Sequence, residues 1–284
     1  MDFSTIAQKL IDAAHDDIAG AVELCRELCP AIVSQIQTDS ARRGPLSFWG
    51  RSTNFDELAN QTIVDPVLIS LLSQITRKKI SVKTPHAGLQ HTYGYLLSLI
   101  QTPYGMKRDR WTEAKLESAF GLNKSTLGPS PQQGTLLTNA TWLAGQIAFR
   151  NVDKSLDRLR RYLSGKYSPD LDRIDFDRLP QVRIVENVTL KTTPKRPPKS
   201  WSLQTDLVSA SANVEFNVLI YSVTEEHTGN ASLITLFPIG QETRQELLAR
   251  TQSTTRDDIR LRFNAYVPAL FGGVFEGTCE AVEF

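Results

Sequence analysis

The chain has little cysteine, no long apolar run and no dominant charge, and each absence removes a class of protein. Three cysteines in 284 residues are too few, and odd in number, for the disulfide frame of an oxidising compartment. Cys25 and Cys29 share a face of an expected helix, lack the spacing of a redox pair, and read as small buried hydrophobes. No apolar stretch approaches the roughly 18 residues that span a bilayer. The amino terminus, MDFSTIAQKL, shows no charged leader followed by an apolar core, so the expectation is a cytoplasmic chain without a membrane span. Lys and Arg number 32 against 31 Asp and Glu, a formal net charge of +1, which lacks the basic excess of a nucleic-acid binder.

Signature motifs are also missing. The chain has no GxxxxGK followed by Ser or Thr, no GxGxxG after a strand, no HExxH and no GxSxG. This removes the common nucleotide-binding, zinc-protease and hydrolase-elbow readings. No motif names a cofactor. Glu225, Glu226 and His227 at a hairpin tip are metal-ligand types, but an exposed polar turn accounts for them.

What is present concentrates between Thr84 and Gly121, which holds two of the four histidines, three of the seven tyrosines, Trp111 and the cluster Lys107-Arg108-Asp109-Arg110. Thr84-Pro85 reads as a capped helix start. His86, Gln90, Tyr93 and Leu97 then fall on one line, with His91 and Tyr95 on roughly the opposite side, which argues against a His86–His91 metal pair. In a first turn the helix dipole favours a neutral imidazole, so His86 is the candidate base, and His91 is the second histidine of the stretch. Tyr93 is its candidate orienting or proton-donating partner, and Gln90 a group that orients ring or substrate. The plain alternative makes His86 and Tyr93 partly buried core residues.

Lys107 and Arg108 precede a helix expected to be capped by Asp109, with Arg110 and Trp111 in its first turn. Free backbone donors, dipole and cations there suit a carboxylate or phosphate; alternatively, Asp109 pairs with an arginine structurally. Arg51, in the loop 38–54 beside Phe48 and Trp49, completes the candidate anion clamp. Arg77-Lys78-Lys79 reads only as a basic helix end.

Periodicity predicts an α+β fold: a mainly helical part over 1–165, a connecting segment over 166–181, and an antiparallel sheet with one short helix over 182–284, the two parts able to share one core. Alternation marks strands from 182, at 214–220, from Ala231, at 259–266 and at the carboxyl end, with a basic Pro-rich loop over 191–199. The favoured functional reading is a soluble enzyme acting on a small anionic molecule by His-centred acid–base chemistry. The alternatives are an interaction or structural component, marked by an exposed apolar patch around Phe48, Trp49 and Trp201, and a nucleic-acid-associated protein, marked by one stripe of the basic clusters.

Overall fold

A computed structural model describes residues 2–41, 44–56, 59–102, 105–128, 133–191, 199–209, 216–250 and 274–283. Helix α1 (Phe3–Asp16) ends where Asp17 turns its carboxylate onto the amides of Ala19 and Gly20, both at 2.9 Å, and so caps α2 (Ile18–Leu28). Asp17 thereby separates two helices, because an Asp side chain competes well with the helical ladder. Pro30 opens α3 (Pro30–Ser40), and Asp65 accepts from the Val67 amide at 2.9 Å to open α4 (Pro66–Thr76), as the Asp-Pro pair predicts.

The next helix starts later than expected. Thr84 bonds Ser81 instead of capping, His86 is extended, and α5 (Ala87–Leu89) passes straight into a π turn (Gln90–Gly94) in which the Tyr95 amide donates five residues back to Gln90. Two short strands, β1 (Gln101–Thr102) and β2 (Gly105–Met106), lead to α6 (Asp109–Thr112) and α7 (Lys115–Ala119). Arg108, not Asp109, occupies the cap position of α6. The fully buried α8 (Leu136–Ala148) follows; a Cβ on its Gly145 would lie 2.5 Å from a Leu159 methyl of α9 (Asp153–Leu163), so a larger residue there requires Leu159 to shift.

The sheet comprises β3 (Gln181–Lys191), β4 (Lys199–Val208), β5 (Phe216–Glu225), β6 (Asn230–Gly240) and, after α10 (Gln241–Arg250), β7 (Val274–Glu283). Its order is β6-β5-β4-β3-β7, antiparallel throughout, which makes the fold α+β. Period-two patterning divides its faces: Val218, Ile220, Leu233 and Leu236 join the core of the helices, while Leu219, Tyr221 and Val223 pack with Leu247 of α10 on the other face. At the seam, Arg183 donates to the Ile147 carbonyl at 3.0 Å and Gln204 to that of Ala148 at 2.9 Å, capping α8. Arg183 also pairs with Asp206 at 2.6 Å in full burial. Strand β4 was not foreseen, and the strand expected over 259–266, with most of the loop 191–199, lies outside the described residues. Among the described residues no helix is long and apolar enough to cross a membrane.

Candidate functional site

The segment 49–54 fixes the site by pairing on two sides. The Gly50 amide donates to Leu233 of β6 at 2.9 Å, and the Gly50 carbonyl accepts from Ala87 at 2.9 Å. The Ser52 and Asn54 amides donate to the carbonyls of Pro85 and Lys83 at 3.2 and 3.0 Å. Trp49 anchors this ribbon through a 2.8 Å bond from its indole to Thr141 on α8, and a Cβ on Gly88 would sit 2.9 Å from the Trp49 ring. Arg51 and His86 are thereby directly opposed across a two-residue bridge.

Beside them lies a cavity of about 320 Å³. Among the described residues its wall carries His86, the solvent-exposed Arg51, Lys78 and Lys79, Ser81 and Thr84, with Leu46, Ile80 and Leu89 as apolar surface and no carboxylate. The His86 ring donates to the Leu46 carbonyl, and its Nδ1 is buried without a partner. Burial holds the ring's pKa down at about 4, the Leu46 bond opposing and the Arg51 and Lys78 charges adding to it. It is neutral near pH 7, with its lone pair on Nδ1. Among the described residues, no carboxylate lies within ion-pairing distance of Arg51, Lys78 or Lys79.

The other expected site residues are elsewhere. Tyr93 is fully buried and donates to Asp39, which also accepts from Thr135 at 2.6 Å and Thr138 at 3.3 Å. Burial raises the Asp39 carboxyl to about 6 even so, and drives the Tyr93 hydroxyl well above its ordinary range. Gln90 donates to the Thr53 carbonyl and the Asn54 side chain, both at 3.2 Å, and steadies the ribbon from behind. Neither Tyr93 nor Gln90 is among the residues lining the cavity beside His86.

His91 belongs to a second, enclosed cluster. Its ring contacts Tyr95 at 4.8 Å between centroids and bonds the Ile234 carbonyl, and burial, then the Lys107 charge, holds its pKa down at about 3. Lys107 is buried and paired with Asp56 at 2.7 Å; burial and Arg110 lower its pKa to about 8. Arg110 is buried over Tyr95 at 5.4 Å and Phe237 at 4.3 Å. Arg108 reaches Asp109 at 3.3 Å, and Trp111 is enclosed in the core. The expected clamp thus divides, with Arg51 at the cavity and the Lys107–Arg110 cluster turned to internal partners.

Sequence reasoning missed Lys78, Lys79 and Ser81. The available signal was their closeness in the chain to His86, which a basic helix end sufficed to explain away. Among the described residues no group of three or more His, Cys, Asp or Glu could hold a metal ion. Comparison with known proteins gives no match: no family model, no curated protein and no solved structure corresponds significantly to this chain.

Proposed function

We propose that the chain binds a small anionic molecule in the His86 cavity and carries out proton transfer on it, with Arg51, Lys78 and Lys79 as the clamp and His86 as the base. The observation that carries this is the coexistence, on one wall, of three cations without carboxylate partners and a neutral imidazole with an unpartnered nitrogen. The clamp and the His86 ring border the same cleft, and the reading requires a small shift of the ring to bring its buried Nδ1 to an acidic proton of the held ligand. The Leu46 bond fixes the ring's orientation and keeps the lone pair on Nδ1.

The interaction-component reading loses its marker, since Phe48, Trp49 and Trp201 are all buried. Phe48 packs against Phe149 and Tyr162 at centroid distances of 6.5 and 6.1 Å. A basic stripe gains no support from the cluster at 107–110, two of whose cations are enclosed.

The test is calorimetric titration of the protein and of Arg51→Met with small carboxylates and phosphates, followed by proton-exchange assays on any binder with His86→Gln. Saturable binding weakened by Arg51→Met, with exchange abolished but binding kept in His86→Gln, supports the proposal. Absence of binding by every anion refutes it.

A further inference from the structure

Resting on that reading, we infer that the cavity takes a phosphate monoester with a short carbon body, its dianionic head on Arg51, Lys78, Lys79 and Ser81. The argument starts from charge. Among the described residues the wall holds three formal positive charges and no carboxylate, which a dianion matches better than a monocarboxylate. A phosphate monoester carries a charge of about −1.5 to −2 near neutral pH and three terminal oxygens, each able to accept more than one hydrogen bond.

Donors are in matching excess. A guanidinium and two ammonium groups supply a fork and two rotatable point charges. Ser81 adds one more, because its oxygen already accepts from both the amide and the hydroxyl of Thr84, each at 3.1 Å, which leaves its own O–H to donate outward. Leu46, Ile80 and Leu89 offer apolar contact to a carbon chain. A cavity of about 320 Å³ has room for a small organic anion.

The experiment is isothermal titration of the full chain at pH 7.5 with glycerol 1-phosphate, inorganic phosphate, succinate and butyrate. It is repeated on Lys78→Met/Lys79→Met and on Ser81→Ala, with thermal melts to establish that each variant is folded. The expected result is one-to-one binding of glycerol 1-phosphate, tightest of the four. Its Kd should rise about tenfold in the double-lysine variant and by less in Ser81→Ala. Affinity should also fall as pH drops through about 6, where the phosphate loses its second charge. Butyrate or succinate binding in preference to the phosphates, and weakened by Arg51→Met, would overturn the ligand class while leaving the anion site standing. Phosphate binding unchanged in the double-lysine variant, or no binding by any of the four, would overturn the assignment of this wall, the last result overturning the site with it.

Discussion

Two histidines five positions apart open and follow the same short helix, and their surroundings differ in one respect. His91 sits among charges that have found each other: Lys107 with Asp56, and Arg110 stacked between Tyr95 and Phe237. His86 sits among cations that have not. Both rings are held neutral mainly by burial. Ring chemistry alone therefore does not distinguish the two places, whereas the neighbouring charges do. Around His91 the cations are enclosed with internal partners; around His86 they are solvent-exposed at the rim of a cleft, where the proposal puts an anion.

The sharpest way to test the architectural side is to break the enclosed pair. Lys107→Met leaves the Asp56 carboxylate buried opposite an apolar group, and the expected loss is about 3–5 kcal/mol in urea unfolding. A loss below about 1 kcal/mol, the value for an exposed pair, would erase the contrast with the cavity. Tyr93→Phe comes next. It removes a donor from the buried Asp39 carboxylate at an expected cost of about 1.5–3 kcal/mol, without changing anion affinity at the His86 cavity. A variant that keeps its stability but loses anion binding would move Tyr93 back beside His86.

Acid titration addresses both regions together. His86 and His91 have folded pKa values of about 4 and 3, below the 6.5 of a free imidazole, so the unfolded chain binds more protons over that interval. Their contribution to stability is full above pH 6.5 and is lost as pH falls through 4 and then 3. Asp39 acts in the opposite sense. Its pKa, raised from 3.8 to about 6, makes the folded chain the better proton binder between those values, so its contribution is full below 3.8 and lost as pH rises through 6. Asp206 and Glu117, whose carboxyls burial also raises, act in the same sense as Asp39, so the clean readout is the difference between chains: from pH 7 down to 4 Asp39→Asn should lose more stability with acid than the parent. Parent and variant with the same pH dependence would contradict the raised Asp39 carboxyl. The smallest effect on the fold belongs to Arg51→Met and Lys78→Met, expected within about 0.5 kcal/mol of the parent in the same assay.

The sequence carried the parts of this contrast that depend on local chemistry. The Asp65-Pro66 start of α4 is a cap followed by a ring that needs no amide partner, and the β5–β6 hairpin shows period-two alternation on both sides of a polar turn. Strand β4 alternates Trp201, Leu203 and Leu207 with Ser202, Gln204 and Asp206, a period-two signal overlooked beside the Pro-rich loop. What the sequence does not show is that its polar side faces the helices, where Gln204 and Asp206 are engaged at the end of α8. The π turn has no signature of its own, since it is the packing around Gln90–Gly94 that sets its hydrogen-bond register. The cluster at 107–110 could not be assigned from composition, because the partner that neutralises Lys107 is Asp56, far back in the chain. Arg51 and His86 were singled out on residue type, but their opposition required the ribbon between β6 and the residues before α5.

The most direct test of the difference between the two histidines is a ring NMR titration with glycerol 1-phosphate at fixed pH, followed by a pH titration of the saturated complex. The account predicts saturable shifts at His86, a His86 pKa moved up from about 4 as the neighbouring cations are neutralised, and an unchanged His91. Equal responses at the two rings, or none at His86 while the protein binds the anion elsewhere, would contradict it.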